Sequence, residues 1–226
     1  MEASMTSEPL AVRLEPIGLD GFLRRPPDAV GLVLFAHGSG SGRTSPRNNA
    51  VAAALGEAGL ATLLFDLLND EEAADRANVF DIALLGERLC LAIDWARQQP
   101  GLAGLPQGCF GASTGAAAAL VAAASRPTIV RAVVSRGGRP DLAAPVLARV
   151  VAPTLLIVGG RDAEVLELNR QALAALRCPK ALEIVPGATH LFPEPGALGA
   201  VTALARAWFL AHLGAAAGKP AADEEA

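Results

Sequence analysis

The sequence predicts an α/β fold: a mostly parallel, twisted sheet with helices on both faces and an antiparallel hairpin at its N-terminal end. Three observations predict it. Short apolar runs alternate with longer stretches of helical periodicity from residue 30 to residue 213. Several of these runs are continuous rather than alternating, such as Gly31–Ala36 (GLVLFA) and Thr154–Gly159 (TLLIVG), as expected of strands buried on both faces. The 226 residues are 52% hydrophobic and 19% charged, which supplies one large core.

Residues 10–17 and 19–24 alternate around Gly18 and predict the hairpin. The Gly31–Ala36 strand runs into the glycine-rich loop 37–42, and residues 48–59 form a helix that stops at a glycine. The next strand is 61–66 (ATLLFD). Helical spacing of Ile82, Leu85, Leu89, Ile93 and Ala96 predicts a helix over 80–98. A short strand at 107–111 leads into an alanine-rich helix at 114–124. A strand at 130–135, a short helix at 141–149 and the Thr154–Gly159 strand follow, then a helix at 163–176 and a last strand at 181–185. The final helix, Ala197–Leu213, carries Val201, Leu204, Trp208 and Leu213 on its predicted core face. With no repeat or internal linker, the chain reads as one domain at 10–213, between a flexible N-terminus (1–9) and a disordered tail (214–226).

Composition removes several function classes. The net charge of −4 and pI of about 5.4 argue against a nucleic-acid or anionic-membrane binder. The longest apolar run, residues 116–124, is far short of the ~20 residues a membrane span needs. Residues 1–9 hold no apolar stretch of the kind a secretory signal requires. Cys90, Cys109 and Cys178 are odd in number and widely spaced, which gives neither a disulfide framework nor a zinc pattern and fits the cytoplasm.

The chemistry-bearing motif is Gly111-Ala112-Ser113-Thr114-Gly115, a G-x-S-x-G placed between a short strand and a helix. A nucleophilic serine on such a sharp turn needs small neighbours, and Gly111, Ala112 and Gly115 supply them. Its base is sought among three histidines. His190, just past the last strand, fits the order serine, acid, histidine. His37 closes the first parallel strand and reads as a loop former, and His212 lies at a helix end. The orienting acid is expected after a strand between 113 and 190. Asp162, in Gly159-Gly160-Arg161-Asp162, fits best. Asp141 competes, with a helix N-cap as its structural role. An oxyanion hole needs two convergent backbone N–H groups. Thr114 and Ser39 are the expected donors, with Gly40 as the alternative to Ser39. The loop 38–43 completes neither a P-loop nor G-x-G-x-x-G, so a nucleotide is not expected.

Arg43, Arg47, Arg136, Arg139 and Arg161 cluster in loops at the same end of the strands. Arg43 and Arg136 are candidates for holding an anionic substrate group. The competing role is loop tethering through Asp66, Asp70 or Asp141.

Taken together, LVLFAHGSGSGRTSPRN (32–48), GLATLLFDLL (59–68), GASTG (111–115), VVSRGGRPDL (133–142), TLLIVGGRD (154–162) and HLFPEPGAL (190–198) resemble the α/β-hydrolase superfamily, and more closely its dienelactone hydrolase-like branch in a serine-nucleophile form. The resemblance implies the α/β-hydrolase fold, a Ser113–His190–Asp162 triad and cleavage of a small carboxylic ester or related acyl bond through an acyl-enzyme, with no cofactor and no metal. Residues 136–140 leave no room for the cap that lipase-type members insert. The expected partner is a small acyl substrate, with a homodimer allowed and neither nucleic acid nor membrane. Acyl transfer or perhydrolysis on the same triad, and a non-catalytic partner domain of this fold, are the alternatives. Phosphoribosyl transfer is not expected, because no acidic pair followed by a glycine turn is present.

Overall fold

The computed structural model describes residues 8–214. Its sheet has eight strands in the order β1-β2-β4-β3-β5-β6-β7-β8. Strands β1 (Leu10–Leu14) and β2 (Leu19–Arg24) form the antiparallel hairpin, and β2 pairs antiparallel with β4 (Leu60–Phe65). From β4 onward all pairs are parallel, through β3 (Gly31–Ala36), β5 (Gln107–Ala112), β6 (Val130–Arg136), β7 (Thr154–Gly159) and β8 (Lys180–Val185). The C-terminal ends of β3, β5, β6 and β7 therefore lie side by side, which is where an open α/β sheet places its ligands.

Alternation along the buried strands divides the core between two faces. Leu32, Leu34, Cys109 and Val133 point to the face covered by α3 (Ile82–Ala96) and α4 (Thr114–Ser125). Val33, Phe35, Phe110, Ala132 and Val134 point to the face covered by α1 (Pro46–Glu57) and α6 (Ala197–Leu213). The alanines of α4 have a steric purpose. Ala116–Ala119 are fully buried, and Gly86 of α3 packs against Val121 so closely that a Cβ there would lie 2.9 Å from the valine Cβ. Small side chains thus bring α4 onto the sheet and fix the start of that helix.

Most predicted elements stand within two residues of their expected ends, and four details differ. A short helix α2 (Asp70–Ala74) and a 3₁₀ turn (Asn78–Phe80) occupy a stretch that sequence periodicity leaves empty. The segment Pro140–Arg149 is a 3₁₀ helix interrupted by Pro145. The core stripe of α6 is Ala197, Val201, Ala205, Phe209 and Leu213. Trp208 lies at its margin, where its indole N–H reaches the Pro153 carbonyl (3.3 Å). The helix also keeps Gly214 as its cap, while residues 1–7 and 215–226 of the expected flexible ends fall outside the described residues.

Between β6 and the 3₁₀ helix at Pro140 there is only a tight link, so no cap domain covers the sheet among the described residues. Also among them, no helix is long and apolar enough to cross a membrane. A helix α5 (Ala163–Ala175) follows β7 and completes the structure.

Candidate active site

Ser113 is held on a forced turn. Its φ of 51° and ψ of −121° are strained for a residue with a Cβ, at a cost of roughly 1–3 kcal/mol. The turn is locked by two bonds to the end of β6: its N–H donates to the Arg136 carbonyl (3.2 Å), and its carbonyl accepts from the Arg139 amide (3.1 Å). The flanking glycines are obligatory. A Cβ on Gly111 would overlap the Ala116 main chain, and one on Gly115 would overlap the Ala36 and His37 carbonyl oxygens.

His190 arrives from the loop after β8. Its Nδ1 lies 2.6 Å from Asp162 Oδ2 and its Nε2 lies 3.4 Å from Ser113 Oγ. The carboxylate fixes the proton on Nδ1 and leaves the Nε2 lone pair facing the hydroxyl. Asp162 occupies the N-cap position of α5, yet its side chain makes no capping bond. Its carboxylate is turned away from the helix and toward the imidazole. The histidine loop is clasped in turn by Glu194, whose Oε1 accepts from the Thr189 amide (3.0 Å) and hydroxyl (2.6 Å). The hydroxyl bond holds the Glu194 carboxyl below its ordinary pKa.

Asp141 behaves differently from both roles considered for it. It makes no bond to a histidine and caps no helix; it clamps the Arg139 guanidinium with bonds of 2.9 and 2.8 Å. This tethers the link after β6, which is also pinned by the buried Asn169 Nδ2 on the Gly138 carbonyl (2.9 Å).

Ser39 and Thr114 line one cavity beside Ser113. The Ser39 N–H donates to Thr114 Oγ1 at 3.0 Å. In the resting site a neighbouring hydroxyl therefore occupies one donor. The Thr114 N–H, at the first position of α4, has no intrahelical acceptor and stays available. Beside these amides opens a cavity of about 280 Å³, in which Leu67, Leu68, Val79 and Leu85 form an apolar wall and Asp66, Asp70 and Ser41 a polar one. A larger cavity, about 640 Å³, sits around Arg97, Gln107 and Arg131 at the opposite ends of the strands and holds none of these groups.

His37 stitches the glycine loop to β4. Its Nε2 accepts the Leu67 amide (3.0 Å) and its Nδ1 lies 3.0 Å from the Gly38 carbonyl, so a neutral ring with the proton on Nδ1 satisfies both. Burial pushes its pKa below the ordinary histidine value, partly offset by the Gly38 carbonyl and by Asp66. The folded protein thus keeps His37 neutral while the unfolded chain protonates it below about pH 6.5. The unfolded state then binds more protons, so stability present above that pH is lost as the pH falls toward the depressed value. Chemical denaturation between pH 7 and 5 should show the parent losing stability more steeply than His37→Gln, by at most about 1.4 kcal/mol per pH unit.

The two arginine candidates separate. Arg43 is not free for a substrate: its amide donates to Asp66 (2.7 Å), its guanidinium pairs with the same carboxylate, and Asp20 stands 3.6 Å away. It tethers the glycine loop to the end of β4. Arg136 is 7% exposed, and its Nη1 is buried with no hydrogen-bond partner. Desolvation, reinforced by the nearby Arg47 charge, pushes its pKa down to about 10.

Comparison with known proteins follows the same lines. No family model matches the chain. A dienelactone hydrolase from Anabaena variabilis, known by its crystal structure, is 54% identical over 91% of this chain and 99% of its own, with a TM-score of 0.87. A Mycobacterium tuberculosis protein that carries a provisional phosphoribosyl transferase name is 58% identical over 209 residues, 92% of this chain. The chain spans only 47% of that curated relative. Est1E from Butyrivibrio proteoclasticus shares the fold at 17% identity, with a TM-score of 0.77 over 91% of this chain and 99% of its own.

Proposed function

The chain belongs to the dienelactone hydrolase-like family of the α/β-hydrolase superfamily, and from that membership we propose that it is a serine hydrolase of small carboxylic esters. The observation that carries the reading is the line of bonds from Asp162 through His190 to a Ser113 held at positive φ. Ser113 Oγ attacks the acyl carbon as His190 Nε2 takes its proton, and Asp162 stabilises the imidazolium that forms. The developing oxyanion accepts from the Thr114 amide and, once it displaces Thr114 Oγ1, from the Ser39 amide. His190 then protonates the leaving alkoxide, and a water activated by the same nitrogen releases the acid and restores Ser113.

Substrate size follows from the walls. The apolar wall of the cavity beside Ser39 and Thr114 suits a short acyl or alcohol group, and the uncapped sheet suits dissolved esters over lipid aggregates. The three cysteines are unpaired and buried, in keeping with a cytoplasmic setting. Phosphoribosyl transfer is not the reading for this chain, since it lacks the acidic pair and glycine turn a phosphoribosyl-binding loop requires. The test is a panel of 4-nitrophenyl esters from acetate to octanoate. We expect turnover with a stoichiometric burst on the shortest esters and falling kcat/KM with chain length. No turnover on any ester by a folded sample would overturn the proposal. Added hydroxylamine, by competing with water for the acyl group, separates hydrolysis from acyl transfer.

A further inference from the structure

Arg136 is buried and Arg47 half-buried on one side of the sheet end, and among the described residues neither has a counter-charge. Arg136 ends β6 beside the nucleophile, with its carbonyl on the Ser113 amide. Alternation from Ala132 and Val134 directs its side chain to the α1 and α6 face. Arg47 lies in the first turn of α1, which covers that face. Arg136 Nη1 and Arg47 Nε are both fully enclosed and unbonded. Among the described residues neither arginine has an ion-pair partner, whereas Arg43 and Arg139 each hold a carboxylate. Arg47 stands close enough for its charge to oppose that of Arg136. A buried guanidinium with no partner is costly, and the like charge of a half-buried neighbour adds to that cost. The planar donor fork of arginine matches an oxyanion with two or more oxygens. The first turn of α1 adds the positive end of the helix dipole beside Arg47, although Pro46 carries no N–H and Ser45 Oγ caps the Asn48 amide.

We propose that Arg47 and Arg136 form an oxyanion-binding site, on the α1 and α6 side of Ser113, that takes a carboxylate or phosphate group. That group is either a free anion or part of the ester being cleaved. The second source rests on the hydrolase reading above and the first does not. The cavity with Leu67 and Leu85 in its apolar wall opens against α3, on the other side of Ser113. An ester spanning both would carry an apolar group at one end and an anion at the other.

The experiment has two arms. Inorganic phosphate is titrated into the protein in a zwitterionic buffer of low ionic strength, and the melting temperature is followed. We expect a saturable rise of at least 3 °C by 10 mM phosphate, abolished in Arg136→Met. Arg47→Met, at a half-exposed position, repeats the arm without disturbing the packing around Arg136. In the second arm, kcat/KM is measured for a carboxylate-terminated 4-nitrophenyl ester and a neutral ester of matched length. A fall of tenfold or more in the anionic-to-neutral ratio in Arg136→Met, with phosphate competing against the anionic ester, assigns the anion to the substrate. A phosphate effect with an unchanged ratio assigns it to a free ion. The proposal is overturned if phosphate shifts the parent and both variants alike, or not at all, and the ratio is unchanged. Because the phosphate arm needs no turnover, absence of esterase activity is read separately.

Discussion

Ser113→Ala is expected to lower kcat/KM for short esters by about 10⁵-fold while leaving the fold intact. The magnitude follows from removing the only group that can accept the acyl chain, with the oxyanion donors still in place to supply residual catalysis. Its structural side can be checked independently. Alanine keeps a Cβ at a φ of 51°, so it retains the strain of the turn. Ser113→Gly releases that strain and should melt higher than Ser113→Ala, by the equivalent of about 1 kcal/mol. A glycine variant that is inactive yet more stable separates the cost of the turn from the chemistry it serves. Equal stabilities would mean that the turn stores no strain.

Asp162→Asn comes next, with an expected fall in kcat of about 10³–10⁴ and little change in KM. The carboxylate is 2.6 Å from His190 Nδ1, and removing its charge both unsettles the imidazole tautomer and leaves the imidazolium unsupported. Stability should change little, because the side chain contributes no cap to α5. Asp141→Asn is the matched control: it weakens only the clamp on Arg139, and kcat should change less than threefold. A larger loss from Asp141→Asn than from Asp162→Asn would reverse the assignment of the acid.

The contrast between those two aspartates shows what kind of information the sequence holds. The strands were legible because each is a block of apolar residues buried on both faces; β3 and β7 coincide with GLVLFA and TLLIVG. The turn at Ser113 is legible because its steric demands fall on the consecutive residues Gly111 to Gly115. The helix α2 has no buried residue and too few positions for a period, so hydrophobicity could not find it. Its capping box, Asn69 with Glu72, was a readable signal that a search for caps would detect. The α6 face is partly legible: Val201 and Leu213 lie in the buried stripe and Leu204 and Trp208 pack at its margin, while the small Ala197 and Ala205 and the ring of Phe209 complete it.

Pairing across the fold was not legible. Arg43 and Arg136 look alike in one dimension. Only the sheet order, which sets the end of β4 beside the glycine loop, gives Asp66 to the first and leaves the second without a carboxylate among the described residues. For the same reason the Ser39 amide could be proposed as an oxyanion donor from its loop, but its bond to Thr114 Oγ1 joins residues 75 apart and has no local signature. His37 on Leu67 and Glu194 on Thr189 are likewise contacts that loop sequences alone do not specify.

The most direct test of the central claim is covalent labelling with a fluorophosphonate, read by intact mass and peptide mapping. One adduct per chain is expected, located on Ser113, formed quickly by the parent and at least a hundredfold more slowly by His190→Ala. A folded parent that takes no label, or one labelled at another residue, would contradict it.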